Sequence, residues 1–394
     1  MVDGTKDSAT GTEFDTTKVT RRRYSRRTAL KTGVAGIAAL TMPPIIGRAL
    51  VSTAHAAFAG ESLIAVSWSG NYELVFRETV IDPFNAKYNT KAETVGGWNE
   101  MVSQIKAAPE DKPPYDVTIA EEFITSSGLV EKLWLPTDRS KIPNLEAVYP
   151  WFYETRPAEA AKFGVPFGGG TCMLLLRKKM GLDGSSWKTL WNDKLSGRLT
   201  LDRGTWYWPL SIPALMNDKR AGLEEMYDLG TAEALFQELE KLKIAKWFQD
   251  GAEQANILNQ EEADAAVSYS SDVYTFLLNQ PGEYTATVPT EGVSGWTDWY
   301  FKVRGTQHGE LADLFMNYLL EKETQERFLS KSLIYVSRKD ITPPAQWNGA
   351  YPKNNDDFYR KFQILTMDGW AKMSTNWDAY DSRAKKMIAA TTSG

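Results

Sequence analysis

Residues 165–176 have the sequence Val-Pro-Phe-Gly-Gly-Gly-Thr-Cys-Met-Leu-Leu-Leu, in which a segment with proline and glycine runs into a long apolar strand. This change of character is typical of a chain that crosses from one folded body to another. Residues 292–303, Gly-Val-Ser-Gly-Trp-Thr-Asp-Trp-Tyr-Phe-Lys-Val, form a second glycine-punctuated strand that suits a return crossing. We therefore predict two lobes joined by two crossings, and we interpret the glycines at 168–170 as backbone flexibility at a hinge.

Strands and helices alternate on the N-terminal side of the first crossing. Residues 61–68 and 115–120 have the apolar composition of buried strands, and residues 72–88 have apolar positions at helical spacing. This alternation predicts an α/β protein with a largely parallel sheet covered by helices. Binding sites in such sheets lie beyond the carboxyl ends of the strands, which here means near residues 67–72 and 121–123.

Composition and charge exclude several classes of protein. The residues after position 56 carry 36 Lys and Arg against 46 Asp and Glu, although the whole chain of 394 residues has a net charge of only −5. An acidic body argues against nucleic acid or anionic lipid as a partner and favours cationic ones. The single cysteine, Cys172, rules out an intramolecular disulfide, and the presence of only two histidines argues against histidine-based metal chemistry. We expect no metal site and no cofactor.

The first 56 residues resemble an export signal. Residues 25–31, Ser-Arg-Arg-Thr-Ala-Leu-Lys, are similar to the twin-arginine motif, with Ala29 where that motif usually has an aromatic residue. Residues 54–56, Ala-His-Ala, have the small-x-small form of a signal peptidase site. We expect residues 1–56 to be removed and the mature protein to act in the periplasm. The alternative is a basic N-terminal arm on a cytosolic protein.

The most specific motif in the chain is Gly295-Trp296-Thr297-Asp298. It resembles the Trp-x-Asp strand of the spermidine/putrescine-binding branch of the periplasmic solute-binding proteins of ABC importers. In that family the tryptophan stacks on the ligand and the aspartate holds an amine. Residues 165–168 are similar to the family's first crossing between lobes, and residues 368–370, Asp-Gly-Trp, to a short motif near its C-terminus.

This resemblance implies a two-lobed type II periplasmic binding protein, with two hinge crossings and a cleft between the lobes. It implies a protein that binds its solute without catalysis, works as a monomer and delivers the solute to an ABC permease in the inner membrane. The implied organisation is a signal peptide at 1–56, lobe 1 at 57–165 and 300–361, lobe 2 at 166–299, and C-terminal helices at 362–394.

Trp296 and Asp298 are two positions apart on a predicted strand, so both side chains point to one face. A carboxylate beside an indole suits an alkylammonium ligand, since the carboxylate pairs with the charge and the ring offers a π face. The alternative is a core tryptophan beside a surface aspartate. The further candidates for ligand contacts are Tyr269, Ser270, Trp68, Tyr72, Asp202, Glu121 and Trp206.

Several of these candidates have structural alternatives. Glu121, with Glu122, could start a helix, where acidic residues complement the dipole, and Asp202 could cap a helix. Trp206 begins the aromatic run Trp-Tyr-Trp-Pro, which more often belongs to a core. Tyr269 stands where polyamine binders have a tryptophan, and Asp202 is not followed by their second carboxylate.

The leading ligand class from the sequence is a polyamine such as putrescine or spermidine. If only one acid faces the cleft, a zwitterion such as 4-aminobutyrate or betaine fits better. A sensor subunit that feeds a signalling receptor would have the same fold and ligand. The alternative from another class is a secreted carbohydrate-active enzyme, with tryptophans stacking on sugars and two carboxylates about 5–9.5 Å apart.

Overall fold

The computed structural model describes residues 57–156, 158–343, 345–347 and 351–392. The predicted export signal and cleavage site lie outside these ranges. The strands are β1 (Ser62–Trp68), β2 (Lys91–Gly97), β3 (Val117–Ala120), β4 (Trp134–Leu135), β5 (Gly164–Arg177), β6 (Leu199–Asp202), β7 (Ile244–Phe248), β8 (Ala265–Tyr269), β9 (Tyr284–Thr287), β10 (Val293–Val303), β11 (Tyr335–Val336) and β12 (Phe362–Ile364).

The α-helices cover the faces of these strands and complete the C-terminal part of the chain. They are α1 (Asn71–Phe76), α2 (Asp82–Tyr88), α3 (Glu100–Ala107), α4 (Glu122–Val130), α5 (Trp151–Glu154), α6 (Tyr207–Leu223), α7 (Leu229–Leu239), α8 (Gly251–Asn259), α9 (Ser270–Asn279), α10 (Gly309–Leu319), α11 (Lys322–Ser330), α12 (Asn355–Lys361), α13 (Met367–Ser374) and α14 (Trp377–Thr391).

The helix predicted over residues 72–88 forms, but it is not regular. A π-helical turn at Arg77–Ile81 joins α1 to α2, and Pro83 lies in the first turn of α2. Proline has no N–H to donate and is tolerated only near a helix start, so the widened turn lies directly before it. The proline therefore marks a junction inside the helical segment.

The first lobe is built around a mixed sheet with the order β2-β1-β3-β10-β5. β1 pairs in parallel with β2 and β3, whereas β10 pairs antiparallel with β3 and β5. β3 is buried at all four positions, as expected for a strand with both faces covered. The carboxyl ends of β1 and β3 bring Trp68 and Glu121 to the same edge of the sheet.

The second lobe is built around the strands β7, β6, β8, β5 and β9. β6 is parallel to β7 and β8, and β5 is antiparallel to β8 and β9. β5 belongs to both sheets: it pairs with β10 up to Thr171 and with β8 from Cys172 onward. The predicted α/β fold with two lobes is confirmed, while the predicted lobe boundaries at 165/166 and 299/300 remain predictions.

The glycines at 168–170 lie inside β5 and have close neighbours, while their role at a hinge stays a prediction. A Cβ atom at Gly168 would lie 2.5 Å from the carbonyl oxygen of Tyr335, and one at Gly170 would lie 2.2 Å from the indole of Trp296. All three residues are buried in the strand. These glycines thus provide room for close neighbours at the centre of the protein.

The C-terminal helices dock on the second lobe. α14 packs against α7, and Arg383 on α14 forms ion pairs with Glu233 at 2.7 Å and Glu240 at 2.6 Å. The hydroxyl of Tyr380 donates to the carbonyl of Met226 at 2.7 Å. α13 also packs against α4 of the first lobe, so the tail contacts both lobes.

Candidate ligand-binding site

Asp298 lies on β10 and is completely buried. The indole nitrogen of Trp68, at the carboxyl end of β1, donates to its Oδ1 atom at 2.8 Å. Its Oδ2 atom has no hydrogen-bond partner among the described residues. Burial raises the pKa of Asp298 to about 7, against the lowering effect of the Trp68 bond. The chain therefore places a carboxylate with one unused oxygen in a site without water contact.

Trp296 lies on the same face of β10 as Asp298, as the spacing predicts. Its ring centroid is 5.4 Å from that of Trp208 on α6 and 5.8 Å from that of Tyr269, which meets it edge to face. The absence of a side chain at Gly170 provides the space for this indole. The aromatic side chains of the second lobe thus meet the Trp-x-Asp strand directly.

Asp202 ends β6 and is fully bonded. Its Oδ1 atom accepts from the amides of Gly204 at 2.7 Å and Thr205 at 3.0 Å. Its Oδ2 atom accepts from the hydroxyls of Thr205 at 2.8 Å and Tyr269 at 2.7 Å. Burial raises its pKa, while the bonds from Tyr269 and Thr205 act in the opposite direction. Asp202 therefore holds a turn together and fixes the ring of Tyr269.

Glu121 is the N-cap of α4. Its carboxylate accepts from the amides of Phe123 at 2.6 Å and Ile124 at 3.0 Å, which is the structural alternative foreseen for an acidic residue at a helix start. Burial and then the neighbouring charge of Glu122 raise the pKa of Glu121 to about 8. Glu122, which sequence reasoning gave no separate role, lies against the backbone of Thr297.

Three further candidates, Trp68, Tyr72 and Ser270, each have different neighbours. Trp68 stacks on Trp98, with ring centroids 5.6 Å apart, and half of Trp98 is exposed. Tyr72 is buried among core rings, 5.2 Å from Phe328. The Ser270 hydroxyl accepts from the Thr171 amide at 3.3 Å, beside the change of partners in β5.

Trp206 is not brought to the Trp-x-Asp strand. Its ring stacks on Tyr380 of α14 with centroids 5.9 Å apart, and it also packs against Trp377 and Phe236. Its neighbour Trp208 occupies the position beside Trp296 instead. The aromatic residues at 206–208 are the sequence signal for this contact, but the sequence does not show which of them faces the cleft.

The space left between these side chains is small. A cavity of about 10 Å³, room for about one water molecule, is lined by Cys172, Asp202, Trp208, Pro209, Val267 and Tyr269. Cys172 therefore lines the same cavity as Asp202 and Tyr269. A space of this size is too small for an organic solute, so a solute that binds there needs these side chains to move apart.

The described ranges contain neither a candidate metal cluster nor a helix that could span a membrane. No group of three or more His, Cys, Asp or Glu side chains there is placed to hold a metal ion. None of the helices in the same ranges combines the length and hydropathy that spanning a bilayer requires.

The model of one protein family, described as bacterial extracellular solute-binding protein, matches residues 79–356. This range is more than half of the chain and contains all the predicted site residues except Trp68 and Tyr72. The chain belongs to this family. None of the curated proteins compared with this solute-binding protein is significantly similar to it.

Many solved structures share the fold. A protein titled as an ABC transporter from Clostridium perfringens is 22% identical, with a TM-score of 0.59 over 83% of this chain and 99% of the other. The spermidine/putrescine substrate-binding protein PotD from Streptococcus pneumoniae is 19% identical, with a TM-score of 0.66 over 84% and 99%. AgtB from A. tumefaciens R10, solved with agropinic acid, is 18% identical, with a TM-score of 0.64 over 84% and 99%.

Identities this low show the fold alone. The solved structures have the two-lobed fold of solute-binding proteins, so this chain has the same architecture with the cleft between the lobes. The solutes named for them differ: PotD is titled for polyamines and AgtB for agropinic acid. The predicted spermidine/putrescine branch therefore stays a prediction.

Proposed function

We propose that this protein is the extracytoplasmic solute-binding component of an ABC transporter and that it captures a small organic cation, with polyamines as the leading class. The observation that carries the proposal is the unbonded Oδ2 atom of buried Asp298 beside Trp68 and Trp296. An ammonium group placed there would gain a charge partner and aromatic faces at once. Cation–π contacts contribute about 2 kcal/mol or more when they are desolvated.

The charges around the cleft support a cation over an anion. Helix N-termini commonly bind anions, but the N-terminus of α4 already carries a carboxylate of the chain. Glu121 accepts from the first amides of α4, and Asp202 accepts from the turn that leads into α6. Arg156, which is buried and faces Asp298, donates to the backbone carbonyls of Ala120 and Thr297.

A zwitterion with one ammonium group is the second candidate, and one observation favours it. Both oxygens of Asp202 are engaged in hydrogen bonds, whereas Asp298 keeps one oxygen unbonded. A ligand with a single amine would use Asp298 alone, while a diamine needs a second acid, for which Asp202 would have to release Tyr269. Binding data for both classes of solute separate these alternatives.

Calorimetric titration of residues 57–394 with putrescine, spermidine, 4-aminobutyrate and glycine betaine tests the proposal. We expect micromolar or tighter binding of a polyamine and its loss in Asp298→Asn, which keeps the shape and removes the charge. Asp193→Asn is the matched control, because Asp193 is exposed. Binding of a zwitterion alone would replace the polyamine by the second candidate, and binding of none of the four solutes would refute the proposed ligand class.

The export route and the membrane partner are part of the same proposal. We infer that the twin-arginine motif directs the chain to the periplasm, where the monomer meets an ABC permease. Replacement of Arg26 and Arg27 by Lys should leave the precursor in the cytoplasm, as fractionation would reveal. Uptake of the bound solute should be lost in a deletion strain; normal uptake there would favour a sensor role.

A further inference from the structure

Thr297, the residue between the two predicted ligand contacts on β10, is held by a buried ion pair. Its amide donates to the two carboxylate oxygens of Glu122 at 3.1 and 3.3 Å, and its hydroxyl donates to the first of them. Its carbonyl accepts from Arg156 at 2.6 Å. Glu122 and Arg156 are 3.6 Å apart, with side chains 1% and 0% exposed. Every polar group of Thr297 is thus bound by one of the two charges.

The partners of this pair belong to the first lobe. Glu122 is the first residue of α4, and Arg156 also donates to the carbonyls of Ala120, at the end of β3, and Glu121. Removing two ions from water costs several kcal/mol for each ion, and such pairs often add little to stability. A buried ion pair that binds Thr297, between Trp296 and Asp298, therefore points to a role in the candidate ligand-binding site.

We propose that Glu122 and Arg156, which bind every polar group of Thr297, are positioning residues for Trp296 and Asp298, and that this buried pair of opposite charges beside Asp298 prepares its carboxyl group to receive a cation. The positioning part rests on the proposed function, because it concerns a bound ligand. The charge part concerns Asp298 alone and holds for any ligand. The two parts therefore need separate measurements.

The groups that face Asp298 come from every element packed against it. They are the indoles of Trp68 and Trp296, the carboxylate of Glu122, the guanidinium of Arg156, and the phenols of Tyr72, Tyr300 and Tyr335. Burial raises the pKa of each of these phenols well above its usual value, so they stay neutral at physiological pH. The charge of Glu122 raises the pKa of Asp298 and that of Arg156 lowers it.

The charge part can be tested without any ligand. The Trp68 indole N–H donates to Asp298, so its resonance in a protein labelled with ¹⁵N-tryptophan reports the ionisation of that carboxyl group; Trp68→Phe assigns the signal. We expect a midpoint near pH 7 in the unaltered protein. Glu122→Gln should lower this midpoint by about one pH unit or more. The control Glu131→Gln alters an exposed acidic residue directly after α4, the helix that begins with Glu122, and should leave the midpoint unchanged.

An unchanged midpoint in Glu122→Gln would overturn the charge part. If that variant does not fold, Arg156→Lys provides the second test: it retains the positive charge, so the midpoint should stay within about half a unit, and a larger change would overturn the same part. Midpoints that move as expected support it even when none of the four solutes binds, an outcome that would refute only the proposed function.

The positioning part is tested with Thr297→Val, which removes the hydroxyl donor to Glu122 and keeps the amide. We expect at least about tenfold weaker binding of putrescine with an unchanged Trp68 midpoint. Thr171→Val is the matched control, because the hydroxyl of this buried threonine on β5 has no hydrogen-bond partner among the described residues. Equal affinity in Thr297→Val and Thr171→Val would overturn the positioning role.

Discussion

Replacing Gly170 by alanine should displace the indole of Trp296 and weaken solute binding. A Cβ atom at position 170 would lie 2.2, 2.6 and 2.9 Å from three atoms of that ring, whereas carbon atoms in contact are about 3.5–4.0 Å apart. The indole must therefore move by about 1 Å or more. Trp208 and Tyr269 contact the same ring, so it cannot move without disturbing them.

The cost of such overpacking is about 1–3 kcal/mol. Affinity should fall as well, because the displaced indole no longer presents its face to the bound solute, and a loss of the same size corresponds to about 5- to 150-fold. The assay is calorimetric titration with the solute that the unaltered protein binds, together with thermal unfolding followed by circular dichroism. A lower melting temperature is expected as well, because the clash exists in the ligand-free protein.

Gly309→Ala is the matched control. Gly309 starts α10, and a Cβ atom at that position would meet no atom within 4 Å. This control should retain both affinity and melting temperature. A Gly170→Ala variant with the affinity and stability of the control would refute the reasoning, since the ring would then have space that the structure does not contain.

Four further outcomes are expected. Affinity for a cation should rise between about pH 6 and 8, by up to about tenfold per pH unit. The reason is that the pKa of Asp298 is raised to about 7, so that its carboxyl group is protonated below that value. Calorimetry across this pH range measures the affinity, and an affinity that does not change with pH would contradict the prediction. The same shift means that the contribution of Asp298 to the free energy of unfolding falls as pH rises from about 4 to 7, which denaturant titrations of the unaltered protein and Asp298→Asn would measure. Phe123→Ala should weaken binding by about 5- to 30-fold, because the Phe123 ring of the first lobe meets Trp370 of the tail at 5.6 Å; unchanged affinity would exclude a role of this contact in closure. Tyr269→Phe should cost about 1–3 kcal/mol of stability, since an oxygen of buried Asp202 loses a donor, and an unaltered unfolding midpoint would count against this bond.

Controls for the charge and ring variants are available in the same chain. Asp193→Asn removes an exposed carboxylate, so it should keep the pH profile of the unaltered protein. Val130→Ala truncates a side chain on α4 that is 78% exposed, so it should leave affinity unchanged. A loss of affinity in Val130→Ala equal to that in Phe123→Ala would assign the effect to the helix and not to the aromatic contact.

Local patterns in the sequence were sufficient for several strands, one helical segment and one pair of candidate residues. The strands predicted at 61–68 and 115–120 form at Ser62–Trp68 and Val117–Ala120. Trp296 and Asp298 share a face because side chains alternate along any strand. These results follow from short-range periodicity, which the sequence displays directly.

The choice between Trp206 and Trp208 shows where local pattern stops. The two residues differ by about 200° around a helix axis, so either one can face the cleft, depending on how α6 sits on its sheet. The structure turns Trp208 toward Trp296 and packs Trp206 on Tyr380 of α14. The rotation of α6 about its axis is set by packing against residues distant in the sequence, so it cannot be predicted from the aromatic residues themselves.

By itself the sequence determined the α/β class, the two crossings and the Trp-x-Asp face, because each depends on neighbours along the chain. Only the tertiary structure decided that Trp68 bonds Asp298, 230 positions away, and that Glu122 binds Thr297, 175 positions away. Such contacts depend on the order of strands in the sheet, which places β10 between β3 and β5. Strand order follows from the packing of the whole chain, so no local propensity contains it.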